Sequence, residues 1–432
     1  MIYGVKLYVW LIIKEFINKM PKIHRKLFTE LIKHLEAKEI SLIVGPRQAG
    51  KTTIMMDLKE YLDKKGEKTL FLNLDYEADK IFFNSQNGLI AKMDLELGRK
   101  KGFVFIDEIQ RKENAGLFLK GLYDLNLPYK FIISGSGSID LKEKIHESLA
   151  GRKRIFELST VNFKEFADFK TEYKYSLKQD EFFAVEKERS LALLNEYLNF
   201  GGYPRVALEQ ERTEKIKIIN EIFRSYVEKD IAYFLGVNRA DAFSLLMRIL
   251  ASQTGQIIKY SKLAEESGVS VATLKNYLWY AEKTFSIKII TPYFKNKHKE
   301  ITKSPSVYFY DLGMRNFSLG LFGNLTQPDQ MGFVFQNFIA NRLSEKIANS
   351  SKNLNFWRTL DKAEVDFVLN DNNSILPVEV KYSKLKNPEI TRSLRNFIQE
   401  YSPAEAWVVN LSLEMEIEIG NTIVKFIPYY KI

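Results

Sequence analysis

The stretch that most constrains this chain is ISLIVGPRQAGKTTIMMDL, residues 40–58, in which an apolar run meets a glycine-bracketed loop and then a helical pattern. Gly45, Pro46, Arg47, Gln48, Ala49, Gly50, Lys51 and Thr52 match G-x-x-x-x-G-K-[ST] without a mismatch, and Thr53 follows. Glycine lets the backbone turn tightly enough for its N–H groups to converge on one anion, and the start of the helix adds the positive end of its dipole. Residues 45–53 are therefore expected to bind the phosphates of ATP. Lys51 is the residue expected to reach the β- and γ-phosphates, and the Thr52 hydroxyl is the expected Mg²⁺ ligand.

A strand that feeds such a loop belongs to a parallel sheet covered on both faces. Near-continuous apolar runs at 40–45, 69–75, 102–108, 130–136 and 154–160 alternate with helical patterns, as that architecture requires. The run GFVFIDE ends in two carboxylates at the C-terminal end of its strand, where open α/β sheets collect ligands. Asp107 is expected to hold the Mg²⁺ shell and Glu108 to orient or deprotonate the attacking water. Asp75 and Glu77 end the second run and are candidates to shape the same environment. The run FIISGSGS offers a hydroxyl for the γ-phosphate or the water, with Ser134 preferred and Ser136 the alternative. Arg152 and Arg154 flank Lys153 before the last run, and either is a candidate to stabilise transition-state charge, in cis or from a neighbouring subunit.

Composition narrows the setting. The 432 residues suggest several domains, and zero cysteines excludes disulfides, thiolate metal sites and cysteine nucleophiles, as in a cytoplasmic protein. A net charge of +10 favours a polyanionic partner such as DNA. The first twenty residues are apolar but broken by Lys6 and too short to span a bilayer, so an amphipathic helix is expected there. A membrane-surface anchor and a start site at Met20 are the alternatives.

Beyond residue 160 the pattern becomes helical, interrupted by GGYP at 201–204. Residues 257–290 read as helix-turn-helix. Gly268 allows the turn and Ser270 caps a second helix that turns Val271, Leu274 and Leu278 inward and Thr273, Lys275, Asn276 and Tyr277 outward. A following hairpin with Lys295, Lys297, Lys299 and Lys303 would serve as a wing contacting DNA phosphates. In the last segment Glu364 and Asp366 share one strand face, as do Glu379 and Lys381, a set able to hold a second divalent metal with a lysine beside it.

Taken in order, GPRQAGKTT, FIDEIQ, SGSGS, LAGRKRIFELSTVNFKEF, GGYPRV and YVEKDI resemble the successive signatures of a bacterial and archaeal AAA-type ATPase family whose C-terminal domain is of unknown function. The similarity runs from about Lys22 over nearly the whole chain. It implies an α/β P-loop core with a parallel sheet, a helical winged-helix-like region, and a C-terminal α/β domain like that of restriction endonucleases. The family usually carries a glutamate where this chain has Gln336, an amide that removes charge from the second metal site. The expected divisions are 1–36 (helical), 37–165 (ATPase core), 166–240 (helical lid), 241–312 (winged helix) and 313–432 (endonuclease-like). The expected activity is Mg²⁺-dependent ATP hydrolysis coupled to DNA binding or remodelling in a homo-oligomer. A regulatory ATPase acting on protein partners and an ATP-controlled nuclease are the alternatives.

Overall fold

The computed structural model describes residues 22–136, 148–226, 240–294, 303–325, 327–371 and 374–432. The expected N-terminal amphipathic helix and the wing lysines Lys295, Lys297 and Lys299 lie outside them. Five parallel strands form the first sheet: β1 (Ile40–Gly45), β2 (Thr69–Asn73), β3 (Gly102–Asp107), β4 (Tyr129–Ser136) and β5 (Lys153–Glu157), in the order β2-β3-β4-β1-β5. Alternate side chains serve opposite faces. Leu42, Val44, Val104, Ile106 and Ile133 pack under Leu89, Met93 and Leu119, while Ile43, Phe103, Phe105 and Ile132 pack under Leu31, Ile54, Met55 and Leu58. Both faces are covered, so these strands read as unbroken apolar runs.

Every connection at the C-terminal edge of this sheet is a loop that can carry chemistry. The loop after β1 opens directly into the helix Lys51–Lys64, and β4 lies between β1 and β3. That inserted strand puts the end of β4 between the loop after β1 and the carboxylates after β3.

The middle region contains the helix-turn-helix. Helices Tyr260–Glu266 and Val271–Lys283 flank Gly268, which takes φ +67°, and the Ser270 hydroxyl accepts the Thr273 N–H at 3.1 Å as the N-cap. Strands β6 (Ile287–Ile290) and β7 (Ser306–Phe309) pair antiparallel beside it. Two side chains reverse the expected orientation. Tyr277 is buried, its ring edge-on to Phe243 at 5.5 Å, while Val271 is 40% exposed. Leu274, Tyr277 and Leu278 recur at the three-and-four spacing of one helical face, and Val271 stands on the first turn, beyond the reach of that core.

The C-terminal region is a six-stranded mixed sheet of β8 (Asn353–Arg358), β9 (Glu364–Asn370), β10 (Ile375–Val380), β11 (Glu405–Asn410), β12 (Met415–Ile419) and β13 (Thr422–Pro428), ordered β12-β13-β11-β10-β9-β8. The helix Arg392–Tyr401 covers one face and the helix Pro328–Ile347 contributes to the core on the other. That second core joins residues of the expected ATPase core, lid, winged-helix and endonuclease-like divisions. Phe163 of the helix Phe163–Lys170 stacks on Phe183 and meets Phe338 and Tyr429 edge-on at 5.6 and 5.8 Å. Among the described residues no helix is long and apolar enough to cross a membrane.

Candidate functional site

The glycine loop is shaped by close approach. A Cβ on Gly45 would lie 2.0 Å from the Leu158 carbonyl oxygen, so the strand exit tolerates only hydrogen there. Gln48 takes φ +58° and Gly50 φ +96°, which turn the chain into the helix. Ala49 is fully buried, while Thr52 and Thr53 are exposed on the first turn. The buried Lys51 ammonium donates to the carbonyls of Gly45 and Pro46 at 3.0 and 2.8 Å, folding back over the loop that precedes it.

Across β4, the end of β3 joins this loop through hydrogen bonds. Asp107 is fully buried, and its Oδ2 accepts from the Thr52 hydroxyl at 2.7 Å. Its Oδ1 accepts from the Ser134 hydroxyl and from the Glu108 N–H, the latter at 3.1 Å. The Glu108 N–H also reaches Ser134 Oγ at 3.3 Å. Glu108 itself stands at φ +57°, a left-handed conformation that costs a non-glycine residue about 1 kcal/mol and turns its side chain out of the strand's alternation. The Gln110 amide donates to the Glu108 carboxylate.

Lys51, Thr52, Asp107, Glu108 and Ser134 thus gather at one sheet edge. Ser134, expected to offer a hydroxyl to the γ-phosphate or the water, is buried here and donates to Asp107. Ser136 pairs in register with Gly45 at the end of β4, but its side chain lies outside the described residues. Asp75 ion-pairs with Arg111 at 2.9 Å and Glu77 is exposed at the start of a short helix, so neither joins the network.

Arg152 and Arg154 do not reach their own loop. In the parallel pairing of β1 with β5, Lys153 stands opposite Ile40 at the start of β1, whereas the glycine loop leaves its end. Six residues of strand separate the two edges, roughly 17–20 Å. Arg152 is engaged there by Asp124 at 2.8 Å, and Arg154 lies over the Phe156 ring. The expectation of a cis role for either is corrected by this register, because parallel strands carry their starts to the face opposite the site.

Two arginines outside the expected set do reach the loop. Arg205, next after GGYP, donates to Gln48 Oε1 at 3.3 Å and pairs with Glu221 at 3.2 Å, and Pro204 Cγ lies 3.9 Å from where a Gly50 Cβ would stand. Its only sequence signal was its position beside that glycine pair. Arg25, before the first described helix, donates to the Ala49 carbonyl at 2.9 Å, and no local pattern announced it. The GGYP turn is itself held from both sides. The Gly202 carbonyl accepts from Val161 N–H at 2.7 Å, and the Gly202 N–H donates to Asp311, the N-cap of the helix Leu312–Ser318, at 2.8 Å.

The C-terminal carboxylates lie on neighbouring strands, β9 and β10. Asp366 accepts from the Gln336 amide at 2.6 Å and from the Val380 N–H at 2.7 Å, and burial, with the charges of Glu379 and Glu364 adding to it, pushes its carboxyl up to about 7. Glu379 accepts from the Thr391 hydroxyl at 2.7 Å and pairs with Lys381 at 2.9 Å. Glu364 pairs outward with Arg358 at 3.3 Å. Among the described residues, no group of three or more His, Asp or Glu side chains is arranged to hold a metal ion.

Residues 37–167 match the family model of an AAA domain, residues 191–325 that of a domain of unknown function (DUF8612), and residues 331–432 that of another (DUF4143). An uncharacterized protein of Methanocaldococcus jannaschii is 26% identical over 433 residues, covering 96% of this chain and 92% of that protein. Another from Mycobacterium tuberculosis is 26% identical over 383 residues, covering 87% and 77%. Among solved structures, ORC1 of Aeropyrum pernix in complex with DNA shares 12% identity at a TM-score of 0.33, covering 69% of this chain and 92% of that one. AMPPCP-bound DnaA of Aquifex aeolicus shares 16% at a TM-score of 0.24, covering 60% and 86%. The family model, the β2-β3-β4-β1-β5 sheet and the glycine loop agree: residues 37–167 form a P-loop nucleotide-binding domain similar to AAA domains, followed by segments that match two domains of unknown function.

Proposed function

We propose that the chain is a Mg²⁺-dependent ATPase whose hydrolytic cycle is coupled to DNA through its middle region. The observation that carries the reading is the Thr52–Asp107–Ser134 network with Lys51 and Glu108 beside it. A hydroxyl and a buried carboxylate are hard oxygen ligands of the kind Mg²⁺ prefers, and the donor set fits that ion. When bound, Mg²⁺ neutralises charge on the β- and γ-phosphates.

The protein's own residues do the rest. Backbone N–H groups of residues 45–53 cradle the phosphates, and Lys51 compensates their charge. Thr52 and Asp107 hold the metal's shell, with Ser134 fixing the carboxylate's orientation. Glu108, turned out of β3 by its left-handed backbone, orients the attacking water and accepts its proton. Arg205, within reach of Gln48, is the cis arginine that meets the terminal phosphate.

Coupling to DNA is supported by the net charge of +10 and by the Ser270-capped helix, which exposes Lys275 and Asn276. Short polar side chains and single lysines of this kind contact phosphate more than base edges.

The test is ATP turnover by wild type and Glu108→Gln, each with duplex, branched or single-stranded DNA across a salt series. Stimulation by DNA that weakens with salt and vanishes in the variant supports the reading. Variant-sensitive turnover indifferent to DNA keeps the ATPase and moves the partner to a protein, consistent with the exposed Val271 on the same helix.

A further inference from the structure

Arg25 lies outside both nucleotide-binding motifs, yet its guanidinium bridges the glycine loop at Ala49 to the chain that follows β5 at Ser159, Thr160 and Glu165. Its side chain is 10% exposed. Nη1 donates to the Ala49 carbonyl at 2.9 Å, Nη2 to the carbonyls of Ser159 and Thr160 at 2.7 and 3.2 Å, and Nε to Glu165 Oε2 at 3.0 Å. Glu165 is held in turn. Its Oε1 accepts from the Lys26 N–H at 2.7 Å and its Oε2 from the Asn162 N–H at 3.1 Å, within a capping box at the start of the helix Phe163–Lys170.

A peptide unit is planar and trans, so its C=O and N–H point in opposite directions. An Ala49 carbonyl drawn outward to Arg25 therefore turns the Gly50 N–H inward, toward the concave side of the loop. We propose that Arg25 is a positioning residue for the nucleotide phosphates: it holds the Ala49–Gly50 peptide so that the Gly50 N–H is aimed at the anion, and it locks that peptide to the exit of β5. This inference rests on the reading that the loop binds ATP.

Only arginine suits the position. Its planar fork reaches three carbonyls and one carboxylate at once, whereas a lysine ammonium is a single point of charge on a shorter, more flexible stem. Arg25→Lys keeps a charge for Glu165 but gives up the fixed bond to Ala49. Glu165→Gln does the reverse, weakening the ion pair while leaving the Arg25–Ala49 bond in place.

The experiment is equilibrium binding of MgATP, with steady-state turnover, for the full-length wild type, Arg25→Lys and Glu165→Gln, alongside nucleotide-free melting of each. A misaimed N–H to a charged phosphate is expected to raise Kd and KM for ATP roughly tenfold in Arg25→Lys, with kcat within about twofold of wild type. Glu165→Gln is expected to lower the melting temperature at least as much while leaving Kd within about twofold. Equal ATP affinity in wild type and Arg25→Lys overturns the inference and leaves the ATPase reading standing. So does an affinity loss in Glu165→Gln as large as that in Arg25→Lys, which would trace the effect to stability. Absence of MgATP binding by the wild type overturns both.

Discussion

The Thr52 hydroxyl donates to Asp107 Oδ2 at 2.7 Å, tying the first turn of the helix after β1 to the end of β3, although β4 separates those two strands. The bond places a hydroxyl and a carboxylate on one side of a common point. Thr52→Val removes the hydroxyl at constant shape, whereas Thr52→Ser keeps it. Phosphate release in a Mg²⁺ titration is expected to fall about 100-fold in Thr52→Val and in Asp107→Asn, and to stay within about fivefold in Thr52→Ser.

Gly45 and Gly151 predict opposite tolerance to a methyl group. A Cβ at Gly45 would meet the Leu158 carbonyl oxygen at 2.0 Å, backbone against backbone, and neither can move without shifting β1 or the exit of β5. Gly45→Ala is expected to cost about 2–4 kcal/mol and to abolish ATP binding. Gly151, at φ +71° with nothing within 4 Å of its would-be Cβ, is strained by alanine without a clash. Gly151→Ala is expected to cost only about 1 kcal/mol, measured by chemical denaturation.

His34 gives the ATPase core an acid limit. Its Nδ1 lies 2.8 Å from Ser41 Oγ and 3.2 Å from Lys130 Nζ. Burial first, then the positive charges of Lys130 and Arg154, push the imidazole down to about 4, against a weaker opposing pull from Glu39. The unfolded chain takes up this proton near pH 6.5 and the folded one near pH 4, so its stabilising contribution is whole above 6.5 and drains as pH falls through that window. The unfolding free energy from urea denaturation is expected to fall between pH 6.5 and 4, by at most about 1.4 kcal/mol per pH unit from this residue. His34→Gln, which keeps an acceptor for Ser41 and Lys130, should flatten that part of the profile.

Two arginine deletions separate the edges of the sheet. Arg152→Ala breaks a solvent-screened pair with Asp124 at the edge away from the glycine loop, and turnover is expected within about twofold of wild type with little change in stability. Arg205→Ala removes the cation beside Gln48 and is expected to lower kcat at least about tenfold. A loss of turnover on Arg152→Ala that grows with dilution would instead mark a contribution from a neighbouring subunit.

How much could be read without coordinates depended on whether a signal was local. Gly45 to Thr52 announced a phosphate loop because eight consecutive residues carry its geometry, and Asp107 and Glu108 were legible because an unbroken apolar strand must end where ligands gather. Lys51, Thr52, Asp107 and Glu108 accordingly converge. The outward face of the helix Val271–Lys283 was partly misread: the three-and-four spacing that places Leu274 and Leu278 inward also carries Tyr277 onto Phe243, whereas Val271 on the first turn stays exposed.

The sequence by itself determined the parallel sheet, the loop and the carboxylates, since strand burial, glycine conformation and strand-end placement are properties of short segments. Only the tertiary structure decided which distant groups complete the site. The insertion of β4 between β1 and β3 brings Ser134 onto Asp107, and the parallel register of β5 sends Arg152 to the far edge. Arg25 and Arg205 reach the loop from 24 and 157 residues away, because a guanidinium finds its carbonyls and amides through space, and no periodicity along the chain encodes that meeting.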